Sequence, residues 1–152
     1  IEVSFVPLTD LSAWQAAIKD NTKLFFVETP SNPLTEIADL AGLAAIAHQH
    51  GAWLAVDNCF CSPALQRPIE HGADFVVHSA TKFIGGHGTT LGGVIVDSGR
   101  HAEHAAALIA WAGERRQPLQ LQRVHEDRGD DGDRAGQRRH LRIDFFACRT
   151  ET

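Results

Sequence analysis

The sequence contains no methionine, no tyrosine and only three cysteines in 152 residues. Cys59 and Cys61 are separated by a single residue and Cys148 lies far from both, so the cysteines form neither a disulfide framework nor the C-x-x-C of a zinc or redox site. Such sparse cysteine usage is typical of a reducing compartment, and we expect a cytoplasmic protein. Because the sequence opens at Ile1 and lacks methionine throughout, we expect it to be a piece of a longer protein.

Long apolar runs and an excess of positive charge are also missing. No run approaches the roughly 20 residues that a membrane-spanning helix needs, and no basic-then-apolar secretion signal opens the chain. The formal net charge of −5 disfavours nucleic acid or an anionic membrane as a partner. His48 and His50 are two residues apart on a predicted helix and therefore point to different faces, so we predict no metal site there.

Short apolar runs alternate with amphipathic stretches through most of the chain. The runs are typical of strands buried on both faces, and the stretches between them carry apolar residues at helical spacing. We predict strands at 24–28, 53–57, 74–78 and 92–97. We predict helices at 9–20, from Asp39 to just before Gly51, in a short crossover at 63–72, and from about His101 to Ala112. This alternation predicts an α/β domain with a mostly parallel sheet flanked by helices.

Residue usage changes abruptly after Gly113. Of the 11 arginines in the chain, 9 lie in residues 114–152, where the stretch HEDRGDDGDRAGQRRH shows no apolar period of 2 or 3.6. We therefore predict a domain at 1–112 and an irregular, low-order tail at 113–152. The change also fits an out-of-frame translation of a gene rich in G and C, which is a hypothesis about the tail.

Polar residues stand where two of the predicted strands end, the position at which α/β sheets bind ligands. Asp57 ends the second strand, and Ser79, Thr81 and Lys82 follow the third. Pyridoxal phosphate chemistry uses these residue types together. A lysine amine forms an imine with the cofactor aldehyde, a carboxylate keeps the pyridine nitrogen protonated, and hydroxyls with turn amides bind the phosphate. Taken singly, Lys82 could be a surface lysine, Asp57 a helix N-cap, and the hydroxyls turn caps.

Three stretches resemble one enzyme family. VETPSNP, AVDNCFCSPALQRP and GADFVVHSATKFIGGHGTTLGGVIVDSG are similar to the cystathionine γ-synthase family of pyridoxal-phosphate enzymes in cysteine and methionine metabolism. The resemblance covers residues 1 to about 112 and implies the middle of the family's large cofactor domain, a type I pyridoxal-phosphate fold. CFCSPALQ is most similar to O-succinylhomoserine sulfhydrylases and GGHGTTLGGVIVDSG to O-acetylhomoserine sulfhydrylases, which leaves the acyl donor open.

The resemblance implies a role for each of five residues. Lys82 becomes the imine-forming lysine and general acid–base, and Asp57 the partner of the pyridine nitrogen. Ser79 and Thr81 become phosphate ligands, and Asn32 contacts the ring hydroxyl of the cofactor. The implied reaction is replacement of the γ-acyloxy group of an activated homoserine by a sulfur nucleophile, and the family includes both transferases and lyases.

The chain also departs from the family pattern. Family members stack a tyrosine on the cofactor ring, receive a tyrosine and an arginine from a neighbouring subunit of a homo-oligomer, and bind the substrate carboxylate with an arginine of a C-terminal domain. This chain has no tyrosine. Two functions therefore stay open. The chain is part of an enzyme acting on a small amino-acid substrate, or it is a truncated, catalytically inactive remnant or cofactor-binding domain.

Overall fold

The computed structural model describes residues 2–89 and 91–101, together with the backbone of the strand at 142–146. Helices and strands alternate in this part of the chain, which confirms the predicted α/β class. In chain order the elements are α1 (Leu11–Ala16), β1 (Leu24–Glu28), α2 (Leu40–Gln49), β2 (Trp53–Asp57), α3 (Ser62–Leu65), β3 (Phe75–Ser79), β4 (Gly93–Asp97) and β5 (Arg142–Phe146). A 3₁₀ turn, Pro68–His71, precedes β3, and a wider turn, Ala80–Ile84, follows it.

The strands form one sheet in the order β1-β2-β3-β4-β5. The first three run parallel, with Glu28 opposite Asp57 and Asp57 opposite Val77. Strand β4 runs antiparallel to β3 and pairs its first residue, Gly93, with Ser79. The carboxyl ends of the three parallel strands therefore lie at one edge of the sheet, where β4 begins.

Helix α2 begins and ends where the sequence predicts. The Asp39 carboxylate caps its amino end by accepting a hydrogen bond from the N–H of Gly42 at 3.0 Å. At its other end Gly51 adopts a φ of 67°, a left-handed conformation that costs glycine little. Helix α1 is shorter than the predicted 9–20, because the chain turns at Lys19, whose N–H donates to the Thr22 hydroxyl at 2.9 Å.

One face of the sheet packs against α2 and forms the hydrophobic core. Phe25 and Val27 of β1 and Leu54 and Val56 of β2 are buried there, together with the inner side of α2 at Leu43. Complete burial of a side chain such as Leu43 contributes roughly 1.5–3 kcal/mol. Packing of this face against α2 therefore holds the parallel strands in place, and Asp57 lies on the opposite face of the sheet.

Alternate residues of each strand point to the opposite face. On that face Leu24, Phe26 and Ile95 are exposed among the described residues. Asp57 and Ser79 are the last residues of their strands and share this face by their alternation with Val56 and His78. The polar strand ends thus lie at the rim of an open sheet face.

Two regions differ from the sequence prediction or lie beyond the described residues. The crossover at 63–72 is a one-turn helix, α3, followed by the 3₁₀ turn, because Pro68 cannot continue a helix begun at Ser62. Within the predicted irregular tail, Arg142–Phe146 pairs with β4 as an antiparallel strand, and its sequence RIDFF has the alternation that suits an edge strand. The rest of the tail and the predicted helix after His101 lie outside the described residues.

Candidate functional site

All five residues that the sequence singled out lie at or beside the ends of adjacent strands, with Thr81 between Ser79 and Lys82. Asp57 ends β2, Ser79 ends β3, and Lys82 lies in the turn that follows β3. Asn32 lies in the loop after β1, where its N–H donates to the Glu28 carboxylate at 3.2 Å. Because β1, β2 and β3 are parallel neighbours, these residues share one edge of the sheet.

Asp57 is half-buried and is anchored by the backbone that follows it. Its Oδ1 accepts a hydrogen bond from the N–H of Cys59 at 3.0 Å, so the carboxylate is held in a local turn. Helix α3 begins only at Ser62 and has no side-chain cap, which excludes the alternative that Asp57 is the N-cap of this helix. Among the residues that the structure describes, Cys59 alone donates hydrogen bonds to this carboxylate.

Lys82 lies in the middle of the wide turn. Its φ of −88° and ψ of −113° are not helical. Two backbone hydrogen bonds close the turn: the N–H of Gly85 donates to Ala80 O at 2.7 Å, and the N–H of Gly86 donates to Lys82 O at 2.8 Å. Five-residue turns of this width are rare and occur often at functional sites. The Lys82 side chain is exposed, so its amine is accessible from the open side of the strand ends.

Gly85 is required by the close approach of the chain to itself. A Cβ at this position would lie 2.6 Å from the carbonyl oxygen of Ala80, a backbone atom that cannot move aside cheaply. The conformation at Gly85 is right-handed, so the space and not the dihedral angle excludes a side chain. The first glycine after the lysine turn is therefore required because the turn leaves no room for a side chain at this position.

The two hydroxyls beside Lys82 have different environments. Thr81 Oγ1 accepts from the N–H of Gly92 at 2.9 Å and donates to the Gly92 carbonyl at 3.2 Å, so it fastens the lysine turn to the chain entering β4. The Ser79 hydroxyl makes no hydrogen bond to any residue that the structure describes. Of the two hydroxyls, that of Ser79 is therefore the one without a partner among the described residues.

Cys59 lies between the Asp57 carboxylate and the end of β3. Burial raises the pKa of its thiol, and the hydrogen bond and negative charge of Asp57 add to this, whereas the Ser79 N–H and the Lys82 charge lower it. The thiol therefore senses the charges of both the Asp57 carboxylate and Lys82. Since the raised pKa keeps the thiol protonated, Cys59 acts as a packing residue beside these groups and not as a nucleophile.

Several contacts of the site have no sequence signal. Phe60 and Phe83 meet edge to face with ring centroids 6.2 Å apart, which joins the loop after Asp57 to the lysine turn. Gln66 donates from Nε2 to Thr29 O at 2.8 Å and to Asn58 Oδ1 at 2.9 Å, across the ends of β1 and β2. Each contact joins residues that meet only through the tertiary fold, so no local pattern could have revealed them.

His78 is a further buried polar residue beside the site. It is 3% exposed, and its Nδ1 has no hydrogen-bond partner among the described residues. Burial lowers the pKa of His78, while the Asp57 charge and the backbone of Asn58 oppose that change. The imidazole is therefore neutral at pH 7 and carries no charge into the site.

Two kinds of site are not found in residues 2–89 and 91–101. No group of three or more histidine, cysteine, aspartate or glutamate side chains is arranged there to hold a metal ion. Helices in the same ranges are all too short or too polar to cross a bilayer.

Comparison with known proteins gives a consistent family. The model of the family described as Cys/Met metabolism PLP-dependent enzyme matches residues 1–125. The O-succinylhomoserine sulfhydrylase of Pseudomonas aeruginosa is 58% identical over 113 residues, which cover 74% of this chain and 28% of that protein. A probable cystathionine gamma-synthase of Herpetosiphon aurantiacus is 49% identical over 98 residues, covering 64% of this chain and 31% of the relative.

A solved structure agrees with the sequence relatives. The crystal structure of metB from Corynebacterium glutamicum superposes with a TM-score of 0.68 at 42% identity, and the match covers 73% of this chain and 28% of that one. The chain therefore spans less than a third of the length of these relatives. On the strength of the family model and of this fold, the chain belongs to the Cys/Met metabolism family of pyridoxal-phosphate-dependent enzymes.

Proposed function

We propose that Lys82, Asp57 and Ser79 bind pyridoxal 5′-phosphate at the carboxyl edge of the sheet. We further propose that a complete enzyme containing these residues replaces the γ-acyloxy group of an acyl-homoserine with a sulfur nucleophile. The observation that carries the proposal is the placement of Asp57 at the end of β2 and of Lys82 in the turn that follows the parallel neighbour β3, with Cys59 hydrogen-bonded to both Asp57 and Ser79. The relative named a sulfhydrylase, at 58% identity, supports the choice of reaction.

The groups at the strand ends fit the chemistry of this cofactor. The Asp57 carboxylate accepts hydrogen bonds only from Cys59 among the described residues, and its negative charge suits a protonated ring nitrogen. Ser79 keeps its hydroxyl, which suits an oxygen of the phosphate. When bound, the cofactor supplies an aldehyde for covalent attachment to an amine and a ring that accepts electrons from a substrate carbanion.

Each residue has a distinct task in this proposal. Asp57 holds a proton at the ring nitrogen, and the Cys59 N–H keeps the carboxylate oriented for it. Lys82 provides the amine that attaches the cofactor and that moves a proton at Nζ during turnover. Ser79 binds the phosphate directly. Thr81 holds the lysine turn on Gly92 and joins the phosphate ligands when its hydroxyl rotates away from that carbonyl.

Asn32 and the assembly of the enzyme complete the proposal. The Asn32 side chain is exposed in the loop beside the strand ends, and we assign it to the ring hydroxyl of the cofactor. We propose an amino-acid ester as substrate, a homo-oligomer with shared sites as the active form, and the cytoplasm as its location. Succinyl and acetyl donors, and synthase and lyase outcomes, remain alternatives for that enzyme.

A second function is favoured by one observation about the chain. It has no tyrosine, so no residue of that type can stack on a cofactor ring or contact its phosphate. For the 152-residue chain acting alone, we therefore propose weak cofactor binding without catalytic turnover. The predicted division at residue 113, with a tail that is out of frame, belongs to this second proposal.

The test of cofactor binding is a titration of the chain with pyridoxal phosphate, followed by the visible absorbance of the lysine-bound cofactor. We expect weak, saturable binding that Lys82→Ala abolishes. The matched control is Lys23→Ala, because Lys23 precedes β1 at the opposite edge of the sheet and is also exposed. Equal absorbance in Lys82→Ala and the wild type would overturn the assignment of Lys82.

The test of turnover is an assay for homocysteine formed from succinyl- or acetyl-homoserine and sulfide. Loss of several charge-assisted contacts to cofactor and substrate, each worth about 1.5–3 kcal/mol, lowers turnover by orders of magnitude. We therefore expect no measurable product from the chain alone. Robust turnover would overturn the inactive assignment and support the first proposal for this chain itself.

A further inference from the structure

A closed hydrogen-bond ring joins Asn58 to Gln66. Asn58 Nδ2 donates to the Gln66 carbonyl at 2.8 Å and to the Ser62 carbonyl at 3.3 Å. In return, Gln66 Nε2 donates to Asn58 Oδ1 at 2.9 Å. Asn58 is completely buried and directly follows Asp57, so the chain after β2 is fixed from behind by this ring.

The same Gln66 amide reaches the neighbouring strand. Its Nε2 also donates to the carbonyl oxygen of Thr29 at 2.8 Å, and Thr29 directly follows the last residue of β1. Thr29 is completely buried, and its hydroxyl accepts from the N–H of Ala38 at 2.9 Å. The loop between these two residues carries Asn32. Gln66 thus connects the Asn32 loop to the segment that carries Asp57.

Both N–H groups of the Gln66 amide are used in these two bonds, and both acceptors lie in buried residues. Water cannot easily replace a donor in such a place, so the loss of the amide leaves acceptors without partners. A direct backbone bond, Thr29 N to Asp57 O, is long at 3.3 Å. Gln66 therefore adds two shorter side-chain hydrogen bonds to this backbone connection between the two strand ends.

We propose that Gln66 is a positioning residue that sets the placement of Asn32 relative to Asp57 and thereby the shape of the cofactor site. The mechanical part of this proposal, the tie between the two loops, stands on the hydrogen bonds alone. The part that concerns the cofactor rests on the proposed function. Two separate measurements therefore test the two parts.

The first measurement is amide hydrogen exchange in the chain without added cofactor. Gln66→Met keeps the length of the side chain but removes both donors, and Arg67→Met makes the same replacement at the exposed neighbour. We expect exchange at Thr29 and Ala38 to become about tenfold faster in Gln66→Met, with little change in α2. Unchanged exchange at these two amides, or an equal increase throughout the chain, would overturn the tie.

A titratable variant tests whether a single donor at position 66 restores part of the connection. In Gln66→Glu, a carboxylate faces two acceptor oxygens at neutral pH, whereas the protonated acid regains one O–H donor. We expect exchange at Ala38, relative to the wild type at the same pH, to be fastest at pH 7 and to recover partly near pH 4. A uniform effect at both pH values would contradict the assigned hydrogen bonds.

The second measurement is the affinity of the same variants for pyridoxal phosphate. We expect the dissociation constant to rise about tenfold in Gln66→Met and to stay near the wild-type value in Arg67→Met. If the exchange result is positive but affinity and cofactor absorbance are unchanged, the positioning role is wrong although the tie exists. If the wild type itself binds no cofactor, the proposed function fails, and hydrogen exchange still decides the tie.

Discussion

The backbone N–H of Ser79 donates to Sγ of Cys59 at 2.8 Å, which joins the end of β3 to the loop that follows β2. The N–H of Cys59 in turn donates to Asp57. Two residues proposed to bind the ring and the phosphate of one cofactor are therefore connected through a single buried cysteine. The relation depends on the thiol staying protonated and enclosed, and this can be tested chemically.

Cys59 is expected to resist alkylation. Burial and the neighbouring Asp57 raise the pKa of the Cys59 thiol, so little thiolate is present at pH 7, whereas Cys61 is only half-buried. Brief treatment of the folded chain with iodoacetamide should label Cys61 at least about tenfold faster than Cys59, as read by peptide mass spectrometry. Denaturant should remove the difference. Faster labelling of Cys59 in the folded chain would contradict the enclosed position.

Gly85→Ala is expected to disrupt the lysine turn. The added Cβ would lie 2.6 Å from Ala80 O, and forcing backbone apart typically costs about 1–3 kcal/mol. Gly92→Ala is the matched control, because among the described residues a Cβ there meets only the Ala80 side chain, at 3.7 Å. Denaturant unfolding should show a loss of stability in Gly85→Ala alone, accompanied by weaker binding of pyridoxal phosphate. Equal stability of the two variants would show that the turn relaxes freely.

The sequence was sufficient to predict the strands that position the site, since their apolar runs are short, continuous and bounded by polar residues. It also predicted that Asp57 ends one strand and that Ser79 and Lys82 follow its neighbour, because parallel strands bring their carboxyl ends together. Their roles stay predictions. The reversal of β4 relative to β3 has no signal in the apolar run, because a buried strand reads the same in either direction.

The supporting contacts could not be predicted in the same way. Gln66 contacts Thr29 across a separation of 37 residues, and no local sequence pattern around either residue indicates this hydrogen bond. The strand Arg142–Phe146 was missed because its flanking text is strongly charged and has no periodicity. Helix α1 ends early because a side-chain hydrogen bond at Lys19 competes with the helix, a choice that periodicity does not record.

Asp74 is expected to make the fold sensitive to acid. Burial alone would raise its pKa, but hydrogen bonds from the N–H of Leu54 and from His48 and His101 outweigh that effect and lower it below 3.8. Because the folded state holds the carboxylate more strongly than the unfolded state, this stabilisation is present above about pH 4 and is lost as pH falls through the lowered pKa. We expect Asp74→Asn to lower the free energy of unfolding at pH 7 by about 1–3 kcal/mol.

The same variant should also unfold with a weaker pH dependence below pH 4, since the titrating group is gone. The measurement is urea unfolding between pH 2.5 and pH 7. Asp97→Asn is a suitable comparison, because Asp97 is also buried and lies in the same part of the sheet. Its carboxylate accepts a hydrogen bond from the N–H of Gly99 at 2.8 Å. An unchanged acid slope in Asp74→Asn would assign the acid sensitivity to other carboxylates.

His78 is expected to make folding stability depend on pH in a higher range than Asp74 does, and its replacement by an apolar residue is expected to be tolerated. Burial lowers the pKa of His78 below 6.5, so the unfolded chain binds the proton first, and stability is lost as pH falls from about 6.5 towards the lowered value. His78→Leu removes this titration together with Nδ1, which has no partner in the part of the chain that the structure describes. The Asn58 carbonyl still accepts from the N–H of Ser62 at 3.2 Å. We expect equal or greater stability at pH 7, by up to about 1 kcal/mol, and a flatter profile between pH 5 and pH 7. The measurement is urea unfolding across that range, with the exposed His71→Leu as control. A large loss of stability in His78→Leu at pH 7 would show that the buried imidazole has a partner that stabilises the fold.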